Sequence, residues 1–264
     1  GVKIRRSLGA SQAIRHDPFL MLDEFFSDDP RDYLAGFPSH PHRGFETVTY
    51  MLDGHMRHED HLGNRGDLGP GDVQWMTAAR GIVHSEMPQQ TEGRMRGFQL
   101  WINLPANEKM KAASYRDIPA SEIPAVQLPG VSVRVIAGTL GTEEGTTDGP
   151  VQGPSTEPLY FDIALDANSR FEVPVPAGHN VFVYVYEGRV HTGDKDEAIE
   201  AHHAGLLSDG DRVTLQSTDS SARLLLIGGK PINEPVVQYG PFVMNTREEI
   251  EQALADYREG RLAV

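Results

Sequence analysis

Gly36-Phe-Pro-Ser-His40-Pro-His42-Arg-Gly-Phe-Glu46 and, further along, Gly81-Ile-Val-His84-Ser-Glu86 decide how this chain of 264 residues is read. His40 and His42 form an H-x-H pair, and His84 and Glu86 form an H-x-E pair. On a β-strand, side chains two apart point to one face. Each pair can therefore direct two donor groups into one cavity. Three imidazoles and a carboxylate around one point make a metal site, open wherever no further protein ligand completes it.

Strand-like runs surround these pairs: Val2-Lys-Ile-Arg-Arg6, Thr47-Val-Thr-Tyr-Met-Leu52, Phe98-Gln-Leu-Trp-Ile-Asn-Leu104 and Val131-Ser-Val-Arg-Val-Ile136. Leu159 to Leu165, Val181 to Tyr186 and Ala222 to Ile227 continue the series. Turn residues separate them: Asp53-Gly54, Pro70-Gly-Asp72, Glu187-Gly188 and Asp209-Gly-Asp211. The 27 glycines and 18 prolines favour turns and short strands over helices. The expected fold is all-β, two antiparallel barrels or jelly-roll sandwiches packed together. The Pro-punctuated segment from Ile118 to Gly130 reads as a linker, which divides the chain into 1–118, 119–130 and 131–264. Gly141 to Pro158 reads as an acidic loop. One helix is legible, at the end of the second part. Thr246-Arg-Glu-Glu249 is a capping box, and Ile250, Ala253, Leu254 and Tyr257 share one helical face.

The two halves read as copies. Aligning Thr47–Gly54 with Val181–Gly188 sets His40 opposite Pro174, His42 opposite Pro176 and Glu46 opposite Asn180. Aligning Gly71-Asp72 with Gly210-Asp211 sets Arg223 opposite His84 and Leu225 opposite Glu86. The first copy carries the candidate ligands and the second keeps only the scaffold.

Composition excludes several chemistries. With 38 acidic and 24 basic side chains the formal charge is −14, which opposes direct nucleic-acid binding. Cysteine is absent, so thiolate metal sites, Fe–S clusters and cysteine nucleophiles are ruled out, and any metal must sit on nitrogen and oxygen. No apolar run approaches the ~20 residues that cross a bilayer. A chain without disulfides suits the cytoplasm, the location expected. No G-x-S-x-G, P-loop or Rossmann fingerprint occurs.

Other candidates compete with the two pairs. Glu46 lies four past His42; it could ligate, orient a ligand or pair with Arg43, with an orienting role favoured and Gly44 able to break the alternation. His55, His58 and His61 read as a solvent face or rim, although His58 or Asp60 could line a cavity wall. His202 and His203 read as surface and His179 as structural. Trp75, Met76, Phe98 and Trp101 read as core or as an apolar pocket wall.

Longer strings carry a resemblance. His40-Pro-His-Arg-Gly-Phe-Glu-Thr-Val48, His58-Glu-Asp60, the run Pro70 to Pro88, Asn103 to Met110 and Gln238-Tyr-Gly-Pro-Phe-Val-Met-Asn-Thr246 resemble the pirin family, two-barrel members of the cupin superfamily. The likeness covers nearly the whole chain. It implies one divalent metal per chain, Fe(II) before Mn, Ni, Co, Cu or Zn, held in the N-terminal barrel by His40, His42, His84 and Glu86. It also implies quercetin 2,3-dioxygenase activity, in which a flavonol-like substrate is opened by O₂ and Glu86 takes part as ligand or proton acceptor. The family further implies an alternative, a non-catalytic redox-sensing regulator that binds a transcription factor or a metabolic enzyme. No membrane partner is expected.

Overall fold

The computed structural model describes residues 2–10, 15–193 and 198–263. Its strands run β1 (Ile4–Leu8), β2 (Phe19–Ser27), β3 (Phe37–His42), β4 (Phe45–Asp53), β5 (Met56–Asp60), β6 (Arg65–Leu68), β7 (Val73–Thr77), β8 (Ile82–Pro88), β9 (Met95–Asn103) and β10 (Ser114–Ile118). These form a six-stranded sheet, β1-β2-β9-β4-β7-β10, and a four-stranded sheet, β3-β8-β5-β6, with antiparallel pairings. The second half continues with β11 (Ala125–Leu128), β12 (Val131–Ala137), β13 (Thr139–Thr142), β14 (Gly145–Asp148), β15 (Leu159–Leu165), β16 (Arg170–Pro174), β17 (Asn180–Glu187) and β18 (Arg189–Thr192). After these come β19 (Ala198–Glu200), β20 (His203–Leu206), β21 (Arg212–Ser217) and β22 (Ala222–Gly229). Here the sheets are β11-β12-β15-β22-β17-β20 and β16-β21-β18-β19. The all-β expectation holds, and the two halves share a plan.

Local chemistry explains the shared plan. Strand β4 ends in a bulge between Met51 and Asp53 followed by Gly54 at φ +87, and β17 ends in a bulge between Val185 and Glu187 followed by Gly188 at φ +73. A bulge and a left-handed glycine at the same point re-aim each strand into the opposing sheet. The second half fills its interior with Val133, Phe161, Val183, Leu215 and Leu224, all fully buried.

Three expectations need correction. The alignment of the second half was displaced by one strand. Gly71-Asp72 leads into β7, whereas Gly210-Asp211 leads into β21, and the sheet orders make β21 the counterpart of β8. The residues that pair with β16 from β21 are Arg212, Val213, Thr214, Leu215 and Gln216, and none of these five is a histidine or a carboxylate. Second, 119–130 is not all linker: Ala125–Leu128 pairs with β12 as the edge strand β11. Likewise part of the expected acidic loop is the hairpin β13–β14.

The third concerns the C-terminus. By contacts the chain divides into one unit of Gly1–Arg15, Phe19–Ala120 and Ile232–Val264, and another of His16–Pro18 and Ser121–Pro231. The terminal helix therefore belongs with the first unit, where the sequence reading had assigned it to 131–264. Hairpin β23 (Val237–Tyr239) and β24 (Phe242–Met244) leads into α1 (Arg247–Arg258). The capping box is present: Thr246 Oγ1 accepts from the Glu249 amide at 3.2 Å, and Glu249 Oε2 accepts from the Thr246 amide at 2.9 Å. Ile250, Ala253 and Leu254 pack with Phe242, Met244, Leu262 and Val83 of β8. Buried Arg43 donates to Asp256 Oδ2 at 2.8 Å, to the Leu262 carbonyl at 3.3 Å and to the Arg80 carbonyl. Amphipathicity says that a helix docks but not on which barrel.

Asp256→Ala is expected to destabilise the first unit by about 2 kcal/mol, since Arg43 keeps its two carbonyl acceptors but loses its counter-charge. Denaturant unfolding measures this; an unchanged midpoint would dismiss the ion pair as a stabilising element.

Candidate metal centre

Strands β3 and β8 set His40 directly across from His84, and β5 and β8 set His58 across from Glu86 and Asp60 across from His84. On β8 the even positions face inward: Ile82, His84 and Glu86 are buried, while Val83 meets the helix cluster. On β4 the odd positions share that interior. Phe45 meets His42 at 5.1 Å between ring centroids, and Thr49 donates to Glu86 Oε1 at 3.1 Å. Register places Trp101 and Met76 beside Thr47, and Gln99 beside Thr49, on the same face.

His40, His42 and His84 converge. One ring nitrogen from each lies within 4.8 Å of the others, and the ring centroids are 4.4 to 4.9 Å apart. His42 and His84 are each only 2% exposed. Burial, followed by the neighbouring imidazoles, pushes both well below the ordinary histidine range, so both are neutral and keep a lone pair. His84 Nε2 has no hydrogen-bond partner, and neither ring nitrogen of His42 closes one, the Pro241 carbonyl acting on that ring as a weak opposing dipole. His40 differs: its Nδ1 lies 2.8 Å from the Pro38 carbonyl. A carbonyl only accepts, so Nδ1 carries the proton and Nε2 is left with its lone pair.

Unpartnered buried nitrogens cost about 1–3 kcal/mol each. A first-row divalent ion would use those lone pairs, and an all-nitrogen and oxygen donor set without thiolate suits such an ion. The three imidazoles fit a metal.

Glu86 stands beside this trio rather than within it. It is 3% exposed and accepts from Thr49 Oγ1 and, through both oxygens, from Gln99 Nε2 at 3.1 Å. Gln99 cannot turn its amide, because its Oε1 accepts from the Trp101 indole at 3.1 Å. Trp101 lies against His42 and Phe45. The carboxylate thus accepts from the Thr49 hydroxyl and the Gln99 amide, which fix its orientation. Neither Gln99 nor Thr49 stood out in the sequence. The signal was a polar residue at an inward position of an otherwise apolar run.

Glu46 faces away. Its Oε1 accepts from Thr77 Oγ1 at 2.6 Å on the opposite face of β4, and burial raises its affinity for a proton while the Thr77 hydroxyl opposes this. It neither orients a histidine nor pairs with Arg43. Gly44, at φ +94, breaks the strand alternation between His42 and Glu46, so counting by twos from His42 fails. Trp75 and Phe98 share that opposite face. Of the three rim histidines, His55 and His61 are exposed, but His58 is fully buried with Nε2 2.8 Å from His84 Nδ1. His203 is exposed and His202 half-buried, and His179 Nε2 lies 3.4 Å from Glu157 Oε2 in the second unit.

Known proteins resemble this chain in sequence and fold. The Pirin family profile matches residues 1–102, and the Pirin C-terminal cupin domain profile matches residues 160–263. The chain is 56% identical over its full length to a Pseudomonas aeruginosa protein provisionally named quercetin 2,3-dioxygenase, covering 93% of that protein. It is 44% identical to human Pirin across 99% of this chain and 88% of that one. A crystal structure of quercetin 2,3-dioxygenase from Acinetobacter baumannii superposes with a TM-score of 0.89 at 34% identity, over 99% of this chain and 92% of that one.

Proposed function

The chain belongs to the pirin family, and from that premise we propose that it is a metal-dependent dioxygenase that opens a flavonol-like ring with O₂. The observation that carries this reading is the convergence of three imidazoles, two of them buried and held neutral, beside a carboxylate surrounded by donors. His40, His42 and His84 would hold one divalent ion, Fe(II) by preference, with Glu86 as the fourth ligand. When bound, the ion supplies Lewis acidity toward the substrate hydroxyl and open positions for oxygen chemistry.

The chain's own groups do the rest. Glu86 accepts the proton that leaves the substrate hydroxyl. Thr49 and Gln99 aim it, and the Trp101 indole fixes Gln99. Trp101, backed by the buried Phe45, provides the apolar flank that a planar aromatic substrate would lie against. Burial of His42, His84 and Glu86 limits water at the centre. No described helix is long and apolar enough to cross a membrane, and the chain free of cysteine suits work in the cytoplasm.

Protein loaded with Fe(II) under anaerobic conditions and then given quercetin and air should consume O₂ together with the flavonol. Glu86→Gln should slow that turnover about 10²–10⁴-fold, the usual contribution of a positioned proton acceptor, while part of the metal stays bound. A fully loaded wild-type protein that leaves every member of a flavonol panel untouched would end the enzymatic reading.

A further inference from the structure

We infer that His58, which is not in the ligand set, is the positioning residue that sets the proton on His84 and so commits it to bind metal. This rests on the metal-centre reading above. His58 sits on β5, across from Glu86, and its side chain is fully buried against His84, with ring centroids 4.9 Å apart, and against Tyr115 at 5.5 Å. Its Nε2 lies 2.8 Å from His84 Nδ1. The other nitrogen of each ring, His58 Nδ1 and His84 Nε2, has no hydrogen-bond partner.

A neutral imidazole carries one proton. If His58 Nε2 is the donor, His84 holds its proton on Nε2 and has no lone pair to give the ion. If His58 Nε2 is the acceptor, His84 holds its proton on Nδ1 and Nε2 is free to ligate. The Pro38 carbonyl settles this choice for His40 outright, because a carbonyl cannot donate. An imidazole can do either. The His58–His84 pair therefore has two polarities, only one of which ligates, and metal binding must carry both protons to their Nδ1 atoms. A partner on the far nitrogen of a ligating histidine commonly changes metal affinity 10–100-fold when removed. Here that partner is a second imidazole rather than the usual carboxylate or backbone carbonyl.

Ni(II), an ion this donor set accepts, is the probe, with affinity read by chelator competition on the full chain. His58→Leu keeps bulk but cannot accept; it should bind Ni(II) about 10–100-fold more weakly than wild type. His58→Gln keeps an acceptor at the Nε2 position and should recover most of that loss. Wild-type affinity in His58→Leu overturns the inference. So does equal loss in both variants with a lowered unfolding midpoint of the metal-free proteins, which marks a merely structural role. If His58→Leu does not fold, nitrogen-15 spectra of Zn(II)-loaded wild type decide. A slowly exchanging proton on His84 Nδ1 supports the inference, and a rapidly exchanging one overturns it. Wild-type protein that binds no Ni(II) refutes the metal centre itself, a result distinct from either outcome at His58.

Discussion

His84→Ala is expected to abolish metal retention and flavonol turnover together. His84 is the residue that the other candidates converge on: His40 and His42 both meet it, His58 hydrogen-bonds it, and Glu86 lies two residues along the same strand. Its removal takes away one lone pair and leaves His58 Nε2 unpartnered in a buried space. A chelate that loses one of its imidazoles falls in affinity by about 10²-fold or more, since losing even a supporting partner costs 10–100-fold. Protein purified without a polyhistidine tag should then carry a small fraction of the wild-type metal content, with turnover at background. His55→Ala and His61→Ala, both at exposed positions, are the controls and should retain metal and activity. Wild-type metal content in His84→Ala would remove the centre from this site.

Gly44→Ala should be the most destabilising small substitution in the first unit. Gly44 holds φ at +94, and a Cβ there would lie 1.9 Å from the Val243 carbonyl oxygen. The left-handed backbone alone costs an L-residue roughly 1–2 kcal/mol. The contact is with backbone, which cannot swing aside as a side chain can. That same carbonyl, with the Gly44 carbonyl and Asn103 Oδ1, accepts from the Lys109 ammonium at 3.0, 2.7 and 2.6 Å. Lys109 is 1% exposed, and burial lowers its pKa to about 8, which leaves it charged with three donors at neutral pH. Moving Val243 to admit a methyl group therefore disturbs a buried cation as well. The expected loss is about 4 kcal/mol, in the range reserved for named defects such as strain and broken buried networks. That corresponds to a fall of roughly 8–16 °C in the unfolding midpoint for a unit of this size. Metal affinity should fall with it, because Gly44 follows Arg43 and His42 directly. A midpoint within a degree of wild type would show that the β3–β4 corner tolerates a side chain.

Much of the site was legible because strand periodicity is a local rule. H-x-H and H-x-E each name neighbours of one centre, since His40, His42 and His84 converge and Glu86 lies two residues past His84 on β8. Glu46 was misread because the rule stops at Gly44, where a positive φ reverses the count. His58 was left open because its strand, like any strand, has two faces, and nothing local says which is inside. Lys109 carried no local signal at all: its three acceptors come from β9, the β3–β4 corner and β24.

The order of residues alone determined the all-β character, the doubled plan and the two pairs of ligand-type residues. These follow from alternation, turn chemistry and the types of donor present, all of which act within a few residues. Only the tertiary structure decided that α1 returns to the first unit, that Arg43 pairs with Asp256 rather than Glu46, and that His58 backs His84. Those choices depend on burial and hydrogen-bond partners contributed by strands distant in the chain, and such partners exist only once the sheets have closed.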